Sequence, residues 1–195
     1  MTHTPLTDRF EQALVLAHRL HANQVRKVSG IPYIAHLLSV TAFVLEDGGT
    51  EDEAIAALLH DAIEDQGGQA IRAEIQTRFG DRVAAIVEGC TDSATVPKPP
   101  WKERKQHYLE NLRAASPEVV RVSLADKLHN ARSLLRDWRK FGSSIWQQFS
   151  SDSEQRLWFY QELVSLYKAA DAGGMSEEFA RTVEDLRDLD RLSLP

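Results

Sequence analysis

An uninterrupted apolar run, Ala54 to Leu59, opens the segment AIAALLHDAIEDQGG (54–68) and is followed at once by His60, Asp61, Glu64 and Asp65. Thr50 and Glu53 form a capping-box pattern that starts a helix, and Gly67-Gly68 ends it. On a helix, residues 60 and 64 are i and i+4, as are 61 and 65, so all four ionisable groups project from a narrow arc at one end. Packing such groups at the end of an apolar helix is unfavourable unless a positive charge sits among them.

The rest of the chain reads as further helices. Phe10, Leu14, Ala17 and Leu20/His21 share one face of a first helix beginning near Thr7. Pro32 suits the first turn of a second, over 32–46, stopped by Gly48-Gly49. Two more, 69–78 and 81–90, meet at Phe79-Gly80, a glycine stop. The prolines of TDSATVPKPP (91–100) break regular structure. Helices follow at 101–115 and from Pro117 to about Phe141, and Gly142 with the serines after it reads as a loop. RLWFYQELVSLY (156–167) is apolar almost all round and is expected to be buried; SEEFARTVEDLRDLDRL (176–192) closes the chain. No two-residue alternation lasts long enough for a strand and no internal repeat is present, so the expected architecture is an all-α bundle.

At 195 residues, 43% hydrophobic and 27% charged, the chain has the size and makeup of one globular domain, expected over 1–195. No apolar run approaches the ~20 residues of a membrane span, and MTHTPLTDRF lacks the apolar region of a signal peptide. The single cysteine, Cys90, cannot form an internal disulfide and reads as a small core residue, which fits a reducing, cytoplasmic setting. A formal charge of −6 argues against a nucleic-acid binder. It leaves room for an anionic small molecule, because local charge decides that case. Arg26-Lys27 and KPPWKERK (98–105) are local basic clusters, readable as solvated surface or as anion contacts.

Two polar groups stand in apolar settings elsewhere. His36 lies in YIAHLLSV (33–40), a core-facing helical pattern. Asp126 lies within VVRVSLADKLHNARSLL (119–135), mid-helix, where Asp has poor propensity. Each has an ordinary explanation: His36 as a hydrogen-bonded core histidine, Asp126 as an ion-pair partner of Lys127 or Arg132. Joined with His60 and Asp61, they make two imidazoles and two carboxylates. That is a mixed N/O set for Mn²⁺, Fe²⁺ or Zn²⁺ with positions left for water and substrate. Such an ion also supplies the missing positive charge.

The order His36…His60-Asp61…Asp126 resembles the signature of HD-domain metal phosphohydrolases. RKVSGIPYIAHLLSV (26–40), AALLHDAIED (56–65) and SLADKLHNARSL (123–134) are similar to the hydrolase domain of RelA/SpoT homologues. The resemblance covers about residues 8–168 and leaves 169–195 as a C-terminal helical extension. It implies an all-α HD-domain bundle that removes the 3′-pyrophosphate of ppGpp or pppGpp, releasing GDP or GTP. With no room for a synthetase domain, the expectation is a stand-alone small alarmone hydrolase. The resemblance further implies His36, His60, Asp61 and Asp126 as metal ligands, with Mn²⁺ the family's usual ion. Glu64 and Asp65 match its catalytic pair, Glu64 orienting or deprotonating the attacking water and Asp65 supporting it. Arg26 and Lys27 match the basic pair lining the nucleotide pocket. Asn130 matches a nucleoside contact, and Ser133 is a further candidate on that face. Tyr33 is expected to pack, and His129 to point away from Asp126.

One departure stands out: Ser123 occupies a position where the family commonly has lysine, which bears on phosphate binding. Lys98 or Lys102 could fold over the pocket in compensation, or the segment could be an ordinary surface loop. The same site could serve adenosine alarmones such as ppApp, or the 2′-phosphate of NADPH. A catalytically dead nucleotide-sensing module would be expected to lack a ligand or the Glu64-Asp65 pair, and all are present. Neither nucleic acid nor membrane is an expected partner. The last helix leaves a homo-oligomer open, since its far side could meet a second subunit or only its own core.

Overall fold

The structure is a computed structural model and describes residues 4–93, 97–170 and 172–192. It is all-α. In chain order the helices are α1 (Asp8–Leu20), α2 (Ile34–Glu46), α3 (Glu51–Leu59), α4 (Ala62–Gln66), α5 (Gln69–Phe79), α6 (Asp81–Cys90), α7 (Trp101–Arg113), α8 (Pro117–Phe141), α9 (Ser153–Ala169) and α10 (Gly173–Leu192), with a 3-10 segment at Gly142–Gln148. Among the described residues no strand forms; Val25 and Pro32 make an isolated bridge. No helix of the described residues is long and apolar enough to cross a membrane.

The centre of the bundle is α3, which packs against α1, α2, α6 and α8. Every residue from Glu53 to His60 is buried. Full burial of Ile55, Leu58 and Leu59 stabilises the fold by about 1.5–3 kcal/mol for each side chain. The start of α3 is fixed by the capping box: Glu53 Oε2 accepts from the Thr50 amide at 2.8 Å, while Thr50 Oγ1 accepts from the Glu53 amide at 3.4 Å. Glu53 Oε1 also accepts from the Arg121 guanidinium, whose Nε donates to Asp47 Oδ2 at 2.9 Å. One buried acid therefore joins the start of α3 to the N-terminal part of α8 and, through Arg121, to the end of α2.

The helix expected to run unbroken to Gly67 is in fact two. It breaks at His60-Asp61, where Asp61 adopts φ −95°, ψ −3°, the sparsely populated bridge region in which active-site residues often sit. Helix α8 starts as its sequence dictates, with Ser116 as N-cap and Pro117 in the first turn. It runs 25 residues, so Asp126 lies deep in the bundle. Two expectations are corrected. Residues after Gly142 wind into a 3-10 segment, and α9 buries one face only: Phe159, Tyr160, Leu163, Leu166 and Tyr167 are buried while Gln161 and Ser165 are exposed. Cys90 is half-buried against the core, its Sγ 3.9 Å from the Val119 carbonyl.

Because Glu53 serves the cap and Arg121 at once, Glu53→Ala is expected to destabilise the fold by about 3 kcal/mol. Thr50→Ala, which loses only the cap, should cost about 1 kcal/mol. Denaturant unfolding of the two variants beside the parent checks the difference.

Candidate active site

Four elements bring the polar cluster together: His36 from the first turn of α2, His60 from the end of α3, Asp61 from the break, and Asp126 from the middle of α8. His36, His60 and Asp126 each present a ligand atom, all within 4.8 Å of one another. Asp61 Oδ2 lies 3.0 Å from His60 Nε2 and 3.6 Å from His36 Nε2. Asp126 Oδ1 lies 3.2 Å from His36 Nε2 and 3.6 Å from His60 Nε2. Both Nε2 atoms are buried and make no hydrogen bond. An unpaired buried nitrogen is costly. Two of them facing two carboxylates is the arrangement a divalent cation would satisfy.

The other atoms of these side chains are already engaged. His60 Nδ1 lies 2.7 Å from the Ala57 carbonyl, which makes Nδ1 the protonated nitrogen and leaves the Nε2 lone pair toward the cluster. Tyr33 Oη donates to Asp61 Oδ2 at 2.6 Å. Lys127 Nζ donates to Asp126 Oδ2 and Asn130 Nδ2 to Asp126 Oδ1, both at 2.5 Å. Burial opposes the charge on each acid, but is outweighed. His60 and His36 hold Asp61, and Lys127 with the two imidazoles holds Asp126, well below the usual carboxylate range. Burial opposes a second proton on His60, yet the Asp61 and Asp126 charges raise its pKa well above the ordinary value, so a proton and a metal cation would compete for the Nε2 lone pair.

Beside the cluster opens a cavity of about 510 Å³ lined by Arg26, Lys27, Asp61, Glu64, Asp65, Asn130 and Ser133 among others. Arg26 and Lys27 sit in a tight loop closed by the Arg26 amide on the Ile31 carbonyl at 2.8 Å. The loop turns at Gly30, whose φ of +68° suits glycine. The Arg26 guanidinium donates to Asn130 Oδ1 at 2.7 Å, so Arg26, Asn130 and Asp126 form one hydrogen-bonded chain. Glu64 Oε1 accepts from Lys98 Nζ at 2.7 Å, and Oε2 from the Asp92 amide at 3.2 Å. Asp65 Oδ2 accepts from Gln24 Nε2 at 2.8 Å; burial and then the Asp61 charge push its carboxyl pKa up.

All ten candidate residues thus converge on the cluster or the cavity beside it. Of the two lysines considered for the loop, Lys98 lines the cavity, whereas Lys102 lies 5.8 Å over the Trp158 ring. Arg132 pairs with Glu178, so Asp126 takes Lys127 alone of its two expected partners. The sequence reading overlooked Arg104, Lys105, Arg156 and Tyr160, which also line the cavity. Arg104 and Lys105 both bind Asp92 and were visible only as part of a basic cluster. Ser123 is buried with its Oγ 2.7 Å from both Tyr108 Oη and Tyr167 Oη.

The model of the HD domain matches residues 13–152. This chain belongs to the HD-domain family. It is 39% identical over 128 residues to the human guanosine-3′,5′-bis(diphosphate) 3′-pyrophosphohydrolase MESH1, covering 64% of this chain and 69% of that protein. Among solved structures it is similar to a metazoan orthologue of SpoT described as hydrolysing ppGpp, with a TM-score of 0.72 at 23% identity over 99% of this chain and all of that one. At that identity the likeness speaks for the fold. A Listeria monocytogenes protein aligns with a TM-score of 0.68 at 30% identity, covering 76% of this chain and 96% of its own.

In this HD domain two residues outside the expected set support the cluster. Tyr33 does more than pack, since its hydroxyl fixes Asp61. His129, read as pointing away from Asp126, meets His36 instead, with the two Nδ1 atoms 2.7 Å apart. Burial, then His36 and Arg26, lower the His129 pKa to about 3, so its neutral ring can accept the His36 Nδ1 proton and leave His36 Nε2 free. Each lies one helical turn from a candidate ligand, Tyr33 from His36 and His129 from Asp126, and that i, i+3 spacing was the available signal. His129→Ala should weaken divalent-ion binding by about 10–100-fold, measured by titration calorimetry. His129→Gln, which keeps an acceptor, should lose less.

Proposed function

We propose that this HD domain, acting as one unit over 1–195, hydrolyses the 3′-pyrophosphate of guanosine alarmones, converting ppGpp or pppGpp and water to GDP or GTP and pyrophosphate. One observation carries the reading: two buried, unpaired imidazole nitrogens and two carboxylates stand beside a cavity walled by Arg26, Lys27, Lys98, Arg104, Lys105 and Arg156. The first arrangement suits a divalent cation and the second a polyphosphate. The similarity to MESH1, named for this reaction, supports the same choice.

His36, His60, Asp61 and Asp126 would hold the ion. Mn²⁺ suits the mixed imidazole and carboxylate donors. When bound, such an ion acidifies water and polarises a phosphoryl oxygen. The remaining work falls to the chain's own groups. Glu64, beside the cluster in the cavity, orients the attacking water and takes its proton. The water oxygen bonds to the inner phosphorus of the 3′-diphosphate, and the bond from that phosphorus to the ribose 3′-oxygen breaks. Asp65, whose raised pKa suits a proton carrier, supports Glu64 and is placed to return a proton to the 3′-oxygen. Arg26 and Lys27 hold the nucleotide, and Asn130, already fixed between Arg26 and Asp126, with Ser133 contacts the nucleoside.

Protein loaded with Mn²⁺ should convert ppGpp to GDP and pyrophosphate, and stop when EDTA removes the ion. Metal-loaded protein inert on ppGpp would overturn the reading. Glu64→Gln is expected to keep its metal and lose about 10²–10⁴-fold in kcat, while Asp61→Ala should lose metal and activity together. Chromatography of the products with elemental analysis of the same samples separates the two cases.

A further inference from the structure

Asp137 lines the cavity with Asn130 and Ser133, yet has no part in the chemistry above. It is only 7% exposed. One oxygen accepts from Arg136 Nε at 3.1 Å, a bond to an adjacent, half-exposed side chain that does not require the carboxylate to face the cavity. Residues 126, 130, 133 and 137 follow offsets of four, three and four, so they share one face of α8. At 1.5 Å per residue Asp137 lies about 16 Å along the axis from Asp126. That separation has room for a metal ion beside Asp126, then the 3′-phosphoryl group, ribose and purine in series, and a hydrogen bond to Asp137 at the far end.

An acid at that end of a basic cavity cannot serve the phosphates, which it repels. It suits a partner rich in donors. Guanine offers N1–H and the exocyclic N2 amine side by side, and a carboxylate, an acceptor only, can take both in a bidentate pair. Adenine presents its N1 lone pair at the same edge, where it would face a carboxylate oxygen without a proton between them. Resting on the reading of the site as a nucleotide hydrolase, we propose that Asp137 is a specificity-determining residue that reads the N1–H/N2 edge of guanine and rejects adenine. Asn130 and Ser133 contact the sugar side of the same ligand, and Arg26 covers the base from the loop.

The test uses Mn²⁺-loaded protein and two probes, GDP and ADP, bound to the parent, Asp137→Asn and Asp137→Ala, with thermal melts confirming that each is folded. The parent should bind GDP about 10²-fold more tightly than ADP, because a site built for donors rejects an analogue that lacks them. Asp137→Asn presents one donor and one acceptor and should bring the ratio below about tenfold, chiefly by weakening GDP. Asp137→Ala should lower it similarly, by loss of the acceptors alone. Equal or undetectable binding of GDP and ADP by the parent overturns the proposal, as does a ratio unmoved in Asp137→Asn. Turnover of ppGpp and ppApp in parallel separates the claims. No hydrolysis with an intact GDP preference removes the catalytic reading and leaves Asp137 standing; hydrolysis of ppGpp with an unmoved ratio removes Asp137 alone.

Discussion

Carboxylates and imidazoles meet at the buried end of α3, and this crowding organises the rest of the site. Every residue from Glu53 to His60 is buried, so the end of α3 has little freedom, and the charge there must be balanced where it stands. The chain does part of this itself. Lys127 neutralises Asp126, the Tyr33 hydroxyl satisfies one oxygen of Asp61, and Lys98 pairs with Glu64. The two Nε2 atoms are left with no internal solution. Outer partners fix which nitrogen of each ring is free, the Ala57 carbonyl for His60 and His129 for His36. The unmet valence is therefore built in by packing.

Local rules explain why most helix bounds were legible. Thr50 with Glu53, Ser116 with Pro117, and Phe79-Gly80 act through their own backbone neighbours, so their meaning survives without tertiary context. The break at His60-Asp61 has no such signature, since neither glycine nor proline marks it. It coincides with the two residues that face the cluster, His60 and Asp61. The candidate ligands were legible as a set because His36 and Asp126 contradict their apolar surroundings. Tyr33 and His129 contradict nothing locally, and only the packing of α2 against α8 and α3 shows what their polar atoms do. RLWFYQELVSLY misled for the opposite reason: its composition is apolar all round, but α9 lies against the bundle on one side only.

Ser123, where the family resemblance implies a lysine, is taken up into the packing of the core. A lysine there would project from the ridge that Lys127 shares one turn on. Instead the Ser123 hydroxyl is shared between Tyr108 and Tyr167. Positive charge at this level comes from neighbours. Lys127 Nζ lies 4.9 Å over the Tyr108 ring and Lys105 Nζ 5.0 Å over Phe159. Burial lowers the Lys105 pKa, with the Asp92 charge opposing it. Aromatic faces and Asp92 thus hold cations that a hydroxyl network cannot.

A chain of net charge −6 can still attract an anion if its acids are spent where its cations gather. In this cavity Asp126 is tied to Lys127, Glu64 to Lys98, and Asp92 to Arg104 and Lys105. Pairing hides much of each charge from solvent at rest. An incoming polyphosphate alters the balance, because it offers more negative charge than any one carboxylate and can share several of these cations at once. Lys98 is the partner it would meet with Glu64 on the other side. The cations an anion entering this cavity would share are therefore ones already paired with the chain's own acids.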